Sequence, residues 1–314
     1  MNYLSLNTYL KNTFGCKVYK LAIDGGFTCP NRDGSLDTRG CIFCSGFGSG
    51  DFAASRNQSI TDQIEEAKLR VKDKIKDGKY IAYFQAFTNT YAPVNELESK
   101  YMEAINHPDI VAISIGTRPD CIPEEVLSLL EKLNKIKPVW VELGLQTIHK
   151  KSSEFIRRGY DLEVYNEAVK NLKARGIYVI THIILGLPGE TQEMMLESVR
   201  YVCKSPSCDG IKLQLLHIIH GTDLAYLYEN RHNLSELGVT NHSFSKNDLN
   251  LMADYECMDL ESYVDVIKKC ISIVPNNIAI HRMTGDGDKK TLIAPLYSGD
   301  KKRVLNAINK ALSN

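Results

Sequence analysis

Residues 17–45 read KVYKLAIDGGFTCPNRDGSLDTRGCIFCS. Residues 17–24 form a strand-like run. The rest is a loop rich in Gly, Asp and Asn that carries Cys29, Cys41 and Cys44. Outward from this stretch, apolar strands alternate with amphipathic helices. A helix over 61–76, entered through a Ser/Thr/Asp-rich stretch and stopped by Gly78, leads to a strand over 80–87. Helix 94–106 follows, with Pro93 at its first turn, and then strand 110–116 and helix 123–135. Strand 139–145, helix 162–175, strand 177–187, helix 191–204 and strand 210–219 complete the series. Such alternation predicts an α/β fold with a parallel sheet and right-handed crossovers. A Rossmann sheet and a closed or partial β/α barrel both fit this order. No G-x-G-x-x-G follows the first strand, which counts against dinucleotide binding, and no G-x-x-x-x-G-K-[ST] is present. After about residue 225 the alternation breaks. Residues 245–274 read as mostly helical, 278–283 and 291–297 as short strands, and 301–312 as a last helix. The expected division is a core over 1–225, with its cysteine loop at 29–44, and a C-terminal α+β extension over 226–314 packed on the substrate side.

The chain has 314 residues, with 38 Lys+Arg against 38 Asp+Glu, and 43% of it is hydrophobic. This is globular composition, which excludes disorder and coiled coil. Balanced charge argues against a uniformly positive polyanion-binding surface, so any nucleic-acid contact needs a local patch. No run of eighteen apolar residues predicts a membrane span, and the first residues lack the pattern of a signal peptide. A cytoplasmic location is expected, with the nine cysteines as reduced thiols.

Three thiols in one loop, just past the C-terminal end of a parallel strand, sit where β/α folds build active sites. Three thiolates can hold a [4Fe–4S] cluster and leave one iron open, or a zinc ion completed by Cys16 or a distant His. Cys16 precedes the strand and so belongs to its other end. Phe43, between the last two cysteines, can shield such a centre or pack on a bound nucleoside.

The loop ends C-x-Φ-C, and the chain also contains YFQAFTNTYAP, GTRPDC, VELGLQT, HIILGLPGET, LHIIHGTDLA and HRMTGDGDKKTLIAPLY. Together these segments resemble the radical S-adenosylmethionine (SAM) superfamily. Eleven residues separate the first two cysteines, against three in the usual superfamily spacing. That longer loop is similar to the branch containing the elongator catalytic subunit, and most closely to YhcC/YtqA-type proteins. The resemblance implies a partial (β/α)6 TIM-like barrel with Cys29, Cys41 and Cys44 as ligands of a [4Fe–4S] cluster. It implies that SAM binds the open iron and is reductively cleaved to a 5′-deoxyadenosyl radical that abstracts hydrogen from a substrate. A reductant such as flavodoxin or ferredoxin is implied as partner, and a transfer RNA base is the leading substrate. A small metabolite, or a non-catalytic metal-binding protein, is the alternative.

Candidates for holding SAM stand near successive strand ends. After the second strand the family's Gly-Gly-Glu is replaced by Gln85–Thr90, where Gln85, Asn89 and Thr90 offer acceptors. After the third, Thr117 and Arg118 precede Pro119-Asp120, and Arg118 can clamp a carboxylate or pair with Asp120. Glu142 and Gln146 share one side of the fourth strand, with Gly144 between them leaving room. The resemblance places Gln146 and Arg158 against SAM. The alternative for Arg158 is a solvated charge in the run 150–158. His182 and Gly186 on the fifth strand are candidates for the ribose or methionine end and for adenine, or a core histidine and a tight turn. Lys212, Gln214 and the 217–220 region are expected to line a substrate cavity that His281, Arg282 and Asp286 close. Lys150, Lys151, Arg157 and Arg158, with Lys301, Lys302 and Arg303, are candidate phosphate contacts.

Overall fold

The computed structural model describes residues 3–46, 48, 56–75, 78–204, 208–233, 244–285 and 289–313. The chain begins with α1 (Leu6–Phe14), β1 (Val18–Ile23), α2 (Ile60–Val71), β2 (Lys79–Phe84), α3 (Val94–Asn106) and β3 (Ile110–Thr117). It continues with α4 (Glu124–Asn134), β4 (Val139–Gln146), α5 (Lys150–Phe155), α6 (Leu162–Ala174), β5 (Tyr178–Leu185), α7 (Gln192–Val202) and β6 (Gly210–Leu215). Then come β7 (Ile218–Ile219), α8 (Asp223–Glu229), α9 (Lys246–Ala253), α10 (Leu260–Ile273), β8 (Ala279–Arg282), β9 (Leu292–Ala294) and α11 (Lys301–Ser313).

Seven strands pair in parallel in the order β1-β2-β3-β4-β5-β6-β8, forming a curled half-barrel that matches the expected partial TIM-like fold. Local chemistry sets the element ends. Ser59 caps α2 by accepting from the Asp62 N–H, and Thr191 caps α7 by accepting from Met194. Gly15, at φ +68°, ends α1 where a side chain would be strained.

The inner face of the sheet is layered, because alternate residues of a strand share a face. The lowest layer is apolar: Val18, Ile81, Ala112, Trp140 and Ile180, plugged by Leu10 of α1. Two residues further along the same strands stand Lys20, Tyr83, Ser114, Glu142 and His182. Two residues beyond those, Gln85, Gly116 and Gly144 face the cleft that carries the cysteines. The outer face and the surrounding helices share a second core, which includes Ile113, Val141, Ile183 and Leu213.

The structure corrects the sequence reading in three places. The run 210–219 is not one strand: β6 stops at Leu215, and β7 leaves the sheet to pair antiparallel with β9. The sheet has seven strands, not six, because β8 from the C-terminal segment pairs with β6. The helix read over 61–76 ends at Val71, and Lys76 lies outside the described residues. No described helix is long and apolar enough to cross a membrane.

Tyr263, Ile267 and Cys270 of α10 and Ile308 of α11 belong to the same core as the sheet. A chain ending at residue 225 loses them and bares the β6 edge, a template for intermolecular pairing. We expect this truncation to aggregate on expression; a soluble, cooperatively unfolding fragment would contradict the single-core account.

Candidate active site

The cysteine loop is built on its own backbone. Arg32 and Asp33 N–H groups bond to the Cys29 carbonyl at 2.8 and 3.2 Å, Gly40 to Asn31 at 2.7 Å, and Cys44 to Cys41 at 3.0 Å. Gly40 sits at φ +77°, and a Cβ there would come within 2.9 Å of Arg32 Nε. Two side chains that the sequence reading missed hold the loop in place. Arg32 Nη2 donates to the carbonyls of Cys44 and Ser45 at 3.0 and 2.7 Å. The buried Asn31 Nδ2 donates to Cys41 Sγ at 3.5 Å and to the Arg157 carbonyl at 2.8 Å. Burial pushes the Cys41 thiol up to about 12, helped by the neighbouring Cys44 and Cys29. Metal ligation would remove that proton.

One cleft joins Cys29, Cys41 and Cys44 to Gln85, Thr117, Arg118, Glu142, Gln146, Arg158 and His182. Phe43, Lys212, Gln214 and Arg282 line it too. Three candidate SAM contacts lie elsewhere. Asn89 is fully buried and turns its amide onto the Gly116 carbonyl, 2.8 Å away. Gly186 is covered from the C-terminal segment: Tyr255 donates to its carbonyl at 2.8 Å, and a Cβ on it would meet Met258 at 2.9 Å. Thr90 is likewise buried, bonded to Thr117 Oγ1 at 2.6 Å. Asp286 lies outside the described residues.

Arg118 faces the cleft already clamped to Asp120, with Nε and Nη2 at 3.0 and 2.7 Å from the two carboxylate oxygens. The local ion pair, not a free carboxylate clamp, is what the structure shows. Arg158 is not a solvated charge. It is 3% exposed, and its Nη1 donates to the carbonyls of Leu145 and Thr147 at 3.1 and 2.6 Å. These carbonyls flank Gln146, which adopts φ +65°. A non-glycine residue there is uncommon and strained, and such strain clusters at binding sites. The Gln146 Oε1 is buried without a hydrogen-bond partner, while its Nε2 folds over Gly144, where a Cβ would lie only 2.6 Å away. Gly144 therefore makes room for the Gln146 amide nitrogen, and the partnerless oxygen is the atom a ligand could satisfy.

Below the cysteines the cleft floor is charged. The fully buried Glu142 carboxylate accepts from Lys20 at 2.5 Å, Ser114 at 2.6 Å, His182 Nε2 at 2.7 Å, and Lys212. Burial alone would raise its pKa, but the Lys20 and Lys212 charges hold it well below the usual carboxylate range. Burial also lowers His182 to about 4 and Lys212 to about 7. His182 is thus a neutral partner of Glu142, not a group held out toward a ribose. Glu142 itself is fully engaged and stands as the anchor of the floor. His281 packs against the Trp140 ring at 5.6 Å between centroids and does not line the cleft.

Replacing Glu142 by Gln leaves two buried ammoniums without their carboxylate. This should cost about 3–5 kcal/mol, read from urea unfolding. A loss below about 1 kcal/mol would show that the network does not hold the sheet.

Comparison with known proteins accords with this geometry. The family model described as Radical SAM superfamily matches residues 38–202, and the one described as Radical_SAM C-terminal domain matches 249–314. The chain is 43% identical over 312 residues to "Uncharacterized protein YtqA" of Bacillus subtilis, covering 99% of this chain and 90% of that one. It is 37% identical over 290 residues to "Protein YhcC" of Escherichia coli K12, covering 92% and 85%. Among solved structures, the archaeal Methanocaldococcus infernus Elp3 lacking its N-terminus superposes with a TM-score of 0.65 at 18% identity, over 94% of this chain and 63% of that one. The chain belongs to the radical SAM superfamily of enzymes, as a YhcC/YtqA-type member.

Proposed function

We propose that this protein reductively cleaves SAM at a [4Fe–4S] cluster held by Cys29, Cys41 and Cys44, and that the reaction takes hydrogen from a substrate seated in the cleft below. The observation that carries this reading is the convergence of the three thiols, the free Gln146 oxygen and a charged floor in one cleft.

The donor set supports a cluster over a single zinc ion. Among the described residues, the one group of three potential metal ligands within 4.8 Å of each other is Glu65, His107 and Asp109. There Lys68 already supplies the cation, 2.8 Å from both carboxylates. Cys29, Cys41 and Cys44 do not form such a group. A tetrahedral zinc ion would draw sulfurs to roughly 3.8 Å of each other. Three thiolates, one short of a structural zinc site, suit a polynuclear centre with one open position.

Bound there, the cluster and SAM supply a 5′-deoxyadenosyl radical able to attack an unactivated C–H bond. The chain's own residues do the rest. Gln146 offers its amide oxygen to the ligand's amino group. Arg158 fixes the backbone on both sides of Gln146 and so sets where that oxygen points. Phe43 and Phe87 wall the cleft against water. Asn31 donates to the Cys41 sulfur, a bond of the type that tunes cluster potential.

For the substrate, the elongator-type cysteine spacing favours a transfer RNA base. Lys150, Lys151 and the 301–303 run stand exposed and suit phosphate contacts. Arg157, paired with Asp223, and the buried Arg158 do not serve that surface.

Anaerobic reconstitution with iron and sulfide should give one cluster per chain, seen by electron paramagnetic resonance after reduction. Alanine at any of the three cysteines should abolish it. Bound zinc in place of iron in anaerobically purified protein would contradict the proposal. Arg158→Met, which frees the strained Gln146, should weaken SAM binding about tenfold or more while the cluster signal persists. Unchanged SAM affinity would remove Arg158 from its positioning role.

A further inference from the structure

Among the described residues, the floor of the cleft does not balance the charges of its two lysines. Lys20 and Lys212 both turn their ammoniums onto Glu142, so one carboxylate serves two cations. Their other hydrogen-bond partners are neutral hydroxyls: Ser114 at 3.2 Å from Lys20, and Tyr83 at 3.2 Å from Lys212. His182 adds no negative charge, and Arg282 adds to the positive field felt by Lys20, Lys212 and His182. An uncompensated buried charge is costly, and a purely structural network is better served by an apolar residue at one of the two lysines. The surplus is aimed, not scattered. His182, Lys212 and Arg282 are direct register partners on β5, β6 and β8, and all three line the cleft. Between Ile211 and Lys212 the β6–β8 register slips, the irregularity of a bulge, and this aligns Arg282 with Lys212.

We propose that this row is an acid-recognition floor: Lys212, backed by Lys20, takes a carboxylate carried by the substrate. This rests on the reading of the cleft as the substrate cavity. With Lys212 protonated, the surplus of Lys20 and Lys212 over Glu142 is one charge, which suits a singly charged anion. A phosphate dianion would overshoot it and meet the repulsion of Glu142. SAM's own carboxylate is not the intended guest. Lys212 lies two residues deeper along β6 than Gln214, about 7 Å further from the cysteine loop, whereas Gln146 and Arg158 stand at the strand end.

The test uses the full chain, with sodium acetate and sodium phosphate as probes against sodium chloride at matched ionic strength. Acetate should raise the melting temperature of the wild-type protein saturably, and phosphate should raise it less. Lys212→Met removes the surplus cation, so it should melt no lower than wild type and lose the acetate response, with half-saturation at least tenfold weaker. Lys212→Arg should keep the response. The proposal is overturned by no acetate effect beyond chloride, by a stronger phosphate effect, or by an unchanged response in Lys212→Met. A Lys212→Met chain that melts well below wild type or fails to fold overturns it as well, since the lysine would then be structural. None of these readings uses SAM or a cluster, so they fail or succeed separately from the proposed chemistry.

Discussion

One buried carboxylate holds the inside of this sheet together. Glu142 on β4 bonds to Lys20 on β1, Ser114 on β3, His182 on β5 and Lys212 on β6. An open, curled sheet has no barrel closure to fix its curvature, and β1 and β8 remain unpaired with each other. The cross-barrel ion pairs supply that constraint from within. They form a polar layer on a dry base, where Trp140 and Tyr178 pack at 5.0 Å between ring centroids and α1 closes the bottom. Low dielectric makes each of these bonds strong and makes the loss of the one shared carboxylate expensive.

That layer is the base on which the rest of the site stands. With the strands fixed below, their C-terminal ends present Gln85, Thr117 and Gln146 around one opening, and the long loop after β1 folds across it. The loop depends on side chains from elsewhere for its position. Asn31 reaches the Arg157 carbonyl after α5, and the Ile42 N–H bonds to the Ile156 carbonyl. The α5–α6 connection thus does two jobs: its carbonyls seat the cysteine loop, and Arg158 within it pins the strained end of β4. The C-terminal segment completes the cleft from the other side, bringing Arg282 into line with Lys212 and laying Tyr255 and Met258 over Gly186. A family core and its C-terminal domain here form one site.

Much of this was legible in the sequence where it depends on local periodicity. Helix α3 starts and ends where Pro93 and His107-Pro108 say it should, and each parallel strand shows as an apolar run because both its faces are buried. The cysteine loop was legible from spacing alone. Pairings between distant strands were not. Arg118 and His182 read equally as ligand contacts or as groups held by the protein, and Glu142 as a buried carboxylate in need of a partner; the structure supplies those partners, Asp120 for Arg118, Glu142 for His182, and Lys20 and Lys212 for Glu142. Lys20 left a signal, a lysine inside an otherwise apolar strand, but nothing local says that its partner lies 122 residues away. β8 was too short, at four residues, to show that it extends the sheet. The positive φ of Gln146 depends on Arg158 and is invisible in periodicity.

The central claim is that this cleft performs reductive SAM cleavage. Its most direct test is 5′-deoxyadenosine production by the anaerobically reconstituted protein with SAM and a strong reductant, beside Cys41→Ala prepared in the same way. The account predicts nucleoside from the intact chain and none from the variant. Equal yields from both, or none from an intact chain shown to carry its cluster, would contradict it.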